Sequence, residues 1–308
     1  MQNLIVNAAP HIHSGASSKR IMLDVVIAML PATVAGVVLF GLKSLGVIAA
    51  CVVSAVLSEY LFNLATGKKQ TVGDFSAVVT GLLLALNLST NVPIWQCVIG
   101  SAFAIVVVKC FFGGLGHNFA NPAITARVMM LLCFSATVAG GANPVVVELT
   151  SSATPLEVMK KGEAAPDLLS LALGTHGGAI GETCEIALVL GLIYLLVRKV
   201  ITWHTPVVFI ATVFAGSLAC TGDVVLALSQ ILSGGLFLGA IFMATDYVTT
   251  PITTRGRVVF GICCGLITTY IRFFGGFPEG VSISILVMNI LTPYIEQWTA
   301  QVPLGGTK

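Results

Sequence analysis

Long apolar runs separated by short polar connections dominate the pattern along this chain. A helix needs about 20 mostly apolar residues to cross a bilayer, because every backbone polar group must find its hydrogen bond within the segment. Ten runs approach that requirement, so the pattern predicts ten transmembrane helices. Their approximate ranges are 21–42, 45–65, 73–90, 93–113, 121–139, 180–198, 204–220, 224–245, 257–274 and 280–298.

Two short motifs occur twice in the same order and predict an internal repeat. Phe111-Phe-Gly-Gly114 returns as Phe273-Phe-Gly-Gly276, and Thr80-Gly-Leu-Leu-Leu-Ala85 resembles Gly234-Gly-Leu-Phe-Leu-Gly239. An odd number of spans separates the copies, so the two halves are inverted. Such repeats place functional sites at their interface, often at broken helices. The predicted fold class is an all-α integral membrane protein of about ten transmembrane helices in two inverted five-helix repeats.

One hydrophilic stretch interrupts the apolar pattern and predicts three regions. Residues 1–139 form the first membrane repeat, 140–179 a polar loop, and 180–308 the second repeat. Lys and Arg concentrate in cytoplasmic loops of membrane proteins. With both termini cytoplasmic, ten basic residues including Lys109 lie inside, and only Lys43, Lys160, Lys161 and Arg272 face outward, with Arg127 inside a helix. The polar loop is therefore predicted on the outer face.

Composition supports the membrane class. The chain has 308 residues, of which 56% are hydrophobic and 9% charged, whereas soluble domains carry roughly 25% charged residues. A net charge of +2 gives no reason to expect a nucleic-acid partner. The eight cysteines lack C-x-x-C spacing and lie mostly in apolar runs, which favours packing over metal binding. The first twenty residues show no apolar region of a cleavable signal.

A glycine-rich stretch, Gly113-Gly-Leu-Gly-His-Asn-Phe-Ala-Asn-Pro-Ala123, is the first candidate site. Gly116 permits close backbone approach, and Asn118 and Asn121 supply amide donors and acceptors. A planar heteroaromatic ring or a dehydrated cation could use these groups. The alternative is a glycine-rich turn with an Asn helix cap. His117 is a polar loop residue in this interpretation, because no second metal ligand is evident.

The segment Met243–Thr254 is the second candidate. Asp246 ends an apolar run, and acids within membrane spans are functional candidates. Thr249 is one of several hydroxyl residues around it, as an oxygen-lined cation path requires. The alternative is that Asp246 lies at headgroup level and caps a loop.

The polar loop offers hydroxyl groups at Ser151, Ser152 and Thr154, the third candidate. Pro155 favours an extended backbone at Thr154. No His or Asp is placed to activate a hydrolase nucleophile. From the residues alone, this is a solvated loop with turn residues.

Five motifs, taken in order, resemble the D subunit of the Rnf electron-transport complex and, more distantly, the B subunit of the sodium-pumping NADH:quinone oxidoreductase. The resemblance covers nearly the whole chain. Its motifs are Ser18-Lys-Arg-Ile-Met-Leu-Asp24, Thr80-Gly-Leu-Leu-Leu-Ala85, Gly113-Gly-Leu-Gly-His-Asn-Phe-Ala-Asn-Pro-Ala123, Ser152-Ala-Thr-Pro-Leu156 and Phe242-Met-Ala-Thr-Asp246.

The resemblance implies covalent FMN. In that family a flavin transferase joins FMN through a phosphoester to the threonine of Ala-Thr-Pro-Leu, which is Thr154 here, within Ser151, Ser152 and Ala153. The family pattern has an acid, often Asp, six positions before this threonine and commonly Gly two before it; this chain has Glu148 and Ser152. The resemblance also implies a non-covalent riboflavin near Asn118 and Asn121.

The implied function is electron relay across the bacterial cytoplasmic membrane. The complex that the chain resembles passes electrons between ferredoxin and NAD⁺ and couples this to Na⁺ or H⁺ transport. Expected partners are the G flavoprotein subunit and the A and E membrane subunits. No NAD or ferredoxin site is expected in this chain, because it lacks a Rossmann glycine fingerprint and an iron–sulfur cysteine set. A solute channel or transporter, or a redox-inactive assembly scaffold, are the alternatives.

Overall fold

The computed structural model describes residues 17–145, 154–162 and 167–300, and within those ranges the chain is helical. The only β-type pairing there joins Ala142 and Gly178. The predicted all-α class is confirmed. The helices are α1 (Ser18–Phe40), α2 (Leu42–Ala65), α3 (Ser76–Leu86), α4 (Ile94–Cys110), α5 (Pro122–Cys133), α6 (Ser135–Val138), α7 (Pro155–Lys160), α8 (Leu168–Leu173), α9 (Glu185–Val197), α10 (His204–Thr221), α11 (Val224–Ile231), α12 (Leu236–Met243), α13 (Thr254–Phe274) and α14 (Val281–Thr299).

Each predicted apolar run contains at least one helix, but the helices differ in length. In the described residues, α1, α2, α10 and α13 are each long and apolar enough to cross a membrane alone. The pair α11 and α12 forms a fifth candidate span that is bent by 59°. Helices α3, α4, α5 and α9 are apolar but shorter. The number of ten spans therefore stays a prediction.

The third and eighth runs, which carry one of the repeated motifs, are both interrupted. Helix α3 ends at Leu86, and the chain before α9 supplies hydrogen bonds there, from Gly181 N–H to Leu86 O at 2.8 Å and from Ile180 N–H to Leu88 O at 3.0 Å. Gly234, with φ of +72°, lies in the break between α11 and α12. A helix can be interrupted within the membrane only where protein, and not lipid, surrounds the backbone N–H and C=O groups that lose their helical hydrogen bonds. Here a neighbouring segment provides those partners.

Small residues let the helices approach closely. A Cβ at Gly191 would lie 2.4 Å from Ala28 O, where α9 crosses α1. A Cβ at Gly81 would lie 2.8 Å from Cys51 O, where α3 crosses α2. Close backbone approach replaces hydrophobic driving force when helices pack within lipid. Helix α5 also packs against α14, so the two halves of the chain share one core.

Two basic residues that the orientation prediction counted are buried. Lys109 is 3% exposed and Arg272 is 4% exposed, and protein oxygens surround both charged groups. Leaving both out of the count removes one residue from each side, so the remaining basic residues still favour cytoplasmic termini. The orientation stays a prediction.

Candidate functional site

One pocket brings together residues from both halves of the chain, and we call it the asparagine pocket. It encloses about 770 Å³ of space between protein atoms, part of it open to solvent. Helices α1, α3 and α9 supply apolar side chains, and the polar groups come from α3, from α4 and from the segments before α5 and after α12. Its lining includes Ser76, Thr80, Lys109, Leu115, Asn118, Asn121, Thr245, Asp246 and Tyr247.

The two asparagines keep one polar group each for a ligand. Asn118 Nδ2 donates to Ala120 O at 2.9 Å. Asn121 Oδ1 caps α5 by accepting from the N–H groups of Ala123 and Ile124 at 3.0 and 3.3 Å. Among the described residues, Asn118 Oδ1 and Asn121 Nδ2 have no protein partner. One acceptor and one donor thus remain beside an apolar cavity, an arrangement that suits a planar heteroaromatic ring. The helix-cap alternative is also correct for Asn121.

The glycine-rich loop shapes this pocket from one side. Gly113, Gly114 and Gly116 have φ values of +119°, +98° and +91°, which L-residues rarely adopt. Leu115 lines the pocket. Gly116 is not one of the lining residues, so the structure does not place this predicted contact at the cavity.

Asp246 shares the asparagine pocket, which the sequence did not predict. Its Oδ2 accepts from Thr249 Oγ1 at 3.2 Å and its Oδ1 from Val248 N–H at 3.4 Å. Thr249 is 2% exposed and does not line the cavity. The structure therefore joins the first and second candidate sites into one.

Asn289 on α14 ties the two candidate segments together. With its amide oriented to satisfy its neighbours, Asn289 accepts from Asn121 N–H at 3.1 Å and donates to Thr249 O at 3.1 Å. It is 2% exposed. The sequence analysis missed this residue, although a lone Asn in an apolar run was a usable signal.

The asparagine pocket also borders a closed ion pair, which we call the lysine cluster. Lys109 Nζ donates to Glu59 Oε1 and Oε2 at 2.9 and 3.0 Å and to Ser76 Oγ at 2.6 Å. All three ammonium donors are therefore used. Glu59, 1% exposed, also accepts from Thr71 Oγ1 at 2.5 Å.

Thr154 lines the second pocket, which we call the threonine pocket. The backbone of Thr154 is extended, with φ of −71° and ψ of 152°, as Pro155 predicted. Its Oγ1 accepts from Glu157 N–H at 3.4 Å, and Glu157 Oε2 accepts from Thr154 N–H at 3.3 Å. This capping box begins α7. The predicted neighbours Ser151, Ser152 and Ala153 lie outside the described residues, as does Glu148.

Helix α7 is held in place by contacts with residues 234–277, in the second half of the chain. Leu156 is 4% exposed, and a Cβ at Gly234 would lie 2.6 Å from its Cδ1. Lys160 Nζ donates to Phe277 O at 3.1 Å and to Gly275 O at 2.5 Å. Gly275 belongs to the repeated Phe-Phe-Gly-Gly motif. Thr154 therefore caps a helix that is hydrogen-bonded to the α13–α14 loop.

Five buried or largely buried charged groups gather beside the threonine pocket, and we call them the arginine cluster; three of them, Arg127, Glu182 and Glu279, line the pocket. The members are Arg127, Glu182, Glu185, Arg272 and Glu279. Arg127 Nη2 lies 2.7 Å from Glu279 Oε2 and 3.4 Å from Glu182 Oε1. Glu279 Oε1 accepts from Gly235 N–H at 2.7 Å. Arg272 donates to Gln230 O and, at 3.1 Å, to Ser233 O.

The surroundings of the α13–α14 loop set the ionisation of Glu279. Burial would raise the pKa of this carboxyl, but Arg127, the Gly235 N–H and Arg272 outweigh burial, and the pKa is lowered. The sequence analysis did not identify Glu182, Glu185 or Glu279 as members of a candidate site. A signal existed, because acids and an arginine within apolar runs are costly.

The two pockets lie on the same helix at different depths. Pro122, at the start of α5, lines the asparagine pocket, and Arg127 lines the threonine pocket. Five residues of helix separate them by about 8 Å along the axis. No group of three or more His, Cys, Asp or Glu side chains in the described ranges is arranged to hold a metal ion.

Fold and pockets together define an all-α membrane protein with two polar sites near the breaks in its helices. Comparison with known proteins shows to which family of membrane proteins the chain belongs. The model of the NQR2, RnfD, RnfE family matches residues 5–305. The chain belongs to this family, which confirms the resemblance drawn from its motifs.

Full-length relatives agree with this assignment. The chain is 43% identical to the D subunit of the Na(+)-translocating ferredoxin:NAD(+) oxidoreductase complex of Acetobacterium woodii, over 99% of this chain and 96% of the relative. It is 39% identical to the D subunit of the proton-translocating ferredoxin:NAD(+) oxidoreductase complex of Clostridium ljungdahlii, over 97% and 96%. It is 33% identical to the D subunit of the ion-translocating oxidoreductase complex of Actinobacillus succinogenes, over 96% of each.

Proposed function

We propose that this chain is the D-type membrane subunit of an ion-translocating ferredoxin:NAD⁺ oxidoreductase complex and that it relays electrons through flavin held in its two pockets. Relatives that match nearly end to end are named as subunits of such complexes. The observation that carries the cofactor part is Thr154, exposed to a pocket on an anchored helix cap. FMN would be attached there by a flavin transferase.

The residues of the threonine pocket suit a phosphoester. Thr154 Oγ1 would be the attachment atom, and its present contact to Glu157 N–H is long at 3.4 Å. Arg127 lines the same pocket, and its guanidinium, which is paired with Glu279 and Glu182 through Nη2, has further N–H donors for a phosphate oxygen. Charge-assisted hydrogen bonds hold phosphate oxygens more strongly than neutral ones. Both flavins supply redox chemistry, while the protein fixes position and electrostatics.

The asparagine pocket suits the non-covalent riboflavin. Asn118 Oδ1 and Asn121 Nδ2 offer one acceptor and one donor, and the surrounding walls are apolar. Helix α5 leads from this pocket to the threonine pocket. We propose that electrons pass between the pockets along this side of the chain, to and from neighbouring subunits such as the G flavoprotein and the A and E membrane subunits.

The last part of the proposal concerns the membrane in which the complex lies and the orientation of the chain in it. The complex would lie in the bacterial cytoplasmic membrane, with both termini cytoplasmic and Thr154 on the outer face. Coupling to Na⁺ or H⁺ is proposed for the complex, and Asp246 with Thr249 is a proposed position for the coupling ion. Replacing Asp246 by Asn should then reduce ion transport by the complex in vesicles without changing the content of covalent flavin at Thr154. Ordinary transport by that variant would overturn this assignment.

In-gel flavin fluorescence tests covalent attachment directly. The chain is co-expressed with its flavin transferase, denatured and run beside Thr154→Ala and a matched hydroxyl deletion, Ser170→Ala, on the neighbouring exposed helix α8. We expect a fluorescent band for the wild type and for Ser170→Ala and a dark band for Thr154→Ala. A dark wild-type band, with the transferase active on another substrate, would return the chain to the transporter or scaffold alternative.

A further inference from the structure

The arginine cluster contains more acid than base. Its three carboxyl groups and two guanidiniums would carry one excess negative charge if all were ionised. Every charged group that acts on Glu182 and Glu185 belongs to this cluster, so no other residue in the described ranges balances it. An uncompensated buried charge is costly, and a buried acid without a partner takes up a proton instead.

The acids also lack hydrogen-bond partners. Glu185 is 3% exposed, and neither of its oxygens has a partner among the described residues. Glu182 is 6% exposed, and its Oε1 makes only the 3.4 Å ion-pair contact to Arg127 within the same part of the chain. Buried polar groups normally have such partners, so each exception indicates a missing ligand or proton.

Two of the carboxyl groups face each other across a glycine. A Cβ at Gly235 would lie 2.6 Å from Glu279 Oε1 and 2.7 Å from Glu182 Oε1. Both oxygens therefore occupy the space that a side chain would fill. The two oxygens are therefore at most about 5 Å apart, and two like charges at that distance raise the free-energy cost of ionising both carboxyl groups.

A proton fits this site better than a metal ion. Arg127 contacts both facing carboxyl groups, and its guanidinium would repel a cation placed between them. The described residues also hold no three-ligand metal arrangement. Water can exchange the proton, because Glu182 and Glu279 line the threonine pocket and the side chain of Glu279 is 19% exposed.

We propose that the arginine cluster is a proton-binding site beside the threonine pocket, which holds one exchangeable proton on Glu182 or Glu185 while Glu279 stays ionised against Arg127. Helix α5 contributes Arg127, α13 contributes Arg272 and α9 begins with Glu185. The site binds its proton whether or not Thr154 carries flavin. Only its role as a proton reservoir beside an electron carrier rests on the proposed function.

Infrared spectroscopy of the full-length chain in lipid nanodiscs tests the proposal. The carbonyl stretch of a protonated carboxylic acid is separate from the bands of carboxylates and shifts in D₂O. At neutral pH we expect such a band in the wild type, in both Na⁺ and K⁺ buffers. It should be lost in Glu182→Gln, Glu185→Gln and Glu279→Gln, because two remaining carboxylates are balanced by two guanidiniums. The matched control Asp167→Asn removes an exposed carboxylate and should keep the band.

Each other outcome overturns the proposal. A wild-type spectrum without a D₂O-sensitive acid band means that no proton is held, and this measurement needs no variant to fold. A band that remains in both Glu182→Gln and Glu185→Gln means that the proton lies outside this cluster. A band that appears only when Na⁺ is removed means that Na⁺ is the occupant. Loss of fluorescence from Thr154 leaves all of these results unchanged, so the two proposals fail separately.

Discussion

Lys109 in the first half of the chain and Arg272 in the second are buried cations next to the same Phe-Phe-Gly-Gly motif, yet their surroundings differ. Lys109 has one acid, Glu59, and all of its donors are used. Arg272 binds backbone carbonyls and leaves its Nε without a partner among the described residues. Three acids and a second arginine share its neighbourhood. In the lysine cluster the charges are paired and every ammonium donor has an acceptor. In the arginine cluster the acids outnumber the bases, and some polar atoms have no partner among the described residues.

This difference follows from the two kinds of side chain. An ammonium has three donors that a carboxylate and a hydroxyl can satisfy completely. A guanidinium has five donors in a fixed plane, so it gathers several acceptors and leaves some unmatched. The same sequence motif thus lies next to two electrostatically different sites. One of them stabilises the fold, and the other lies beside a candidate cofactor pocket.

Breaking the lysine cluster should have the largest effect. Lys109→Met keeps the length of the side chain but leaves Glu59 charged and buried, which should lower the free energy of unfolding by about 3–5 kcal/mol. Adding Glu59→Gln should recover most of that loss, because no charge remains unpaired. Denaturant unfolding in detergent measures both. Additive losses in the double variant would mean that the pair does not act as a unit.

Breaking the arginine cluster should cost less and depend on pH. Because the pKa of Glu279 is lowered on folding from its usual 4.5, it stabilises the folded state above that pH and loses this contribution as the pH falls. Arg127→Met removes a main cause, so its cost should be about 2 kcal/mol at neutral pH and shrink below about pH 4. Lys109→Met measured over the same pH range is the comparison. A cost for Arg127→Met that grows in acid would contradict the ion pair with Glu279.

Substitutions of the two asparagines in the asparagine pocket distinguish a helix cap from a proposed cofactor contact. Asn121→Ala removes the cap of α5 and should lower stability by about 1 kcal/mol, while Asn118→Ala removes only a turn contact and should cost less. If the pocket holds the proposed riboflavin, both should reduce the amount of non-covalent flavin that co-purifies with the complex, measured after acid release. If Asn118→Ala retained full flavin content, Asn118 would have no part in binding.

The smallest effect should come from a pair near the start of α1 in which only the arginine is exposed. Arg198 Nη2 lies 3.2 Å from Asp24 Oδ2, and the side chain of Arg198 is 38% exposed. Solvent reaches the guanidinium, and Tyr194 Oη also donates to Asp24 Oδ1 at 3.0 Å, so Arg198→Gln should lower the midpoint of thermal unfolding only slightly. Thermal unfolding in detergent at low and high salt provides the measurement. A loss as large as that of Lys109→Met would show that exposure does not explain the contrast between buried and exposed pairs.

Much of the fold followed from local patterns. Each apolar run contains a helix because a chain in lipid must satisfy its backbone hydrogen bonds locally. Pro155 fixed the extended backbone of Thr154, and Asn121-Pro122 marked the start of α5 through cap chemistry. The site was predicted less completely. Thr154 came from a family motif, and the contact predicted for Gly116 stays a prediction, because its neighbour Leu115 is the residue that lines the asparagine pocket.

The sequence by itself determined the membrane class, the repeated motifs and the family, because apolar length and short motifs are local properties. Only the tertiary structure decided that Asp246 and Asn121 share a pocket, that Lys109 and Arg272 are buried, and that Glu182, Glu185 and Glu279 gather around Arg127. These groups lie far apart along the chain, and burial and charge balance depend on which helices pack together. A single sequence shows each acid and base but not its partner.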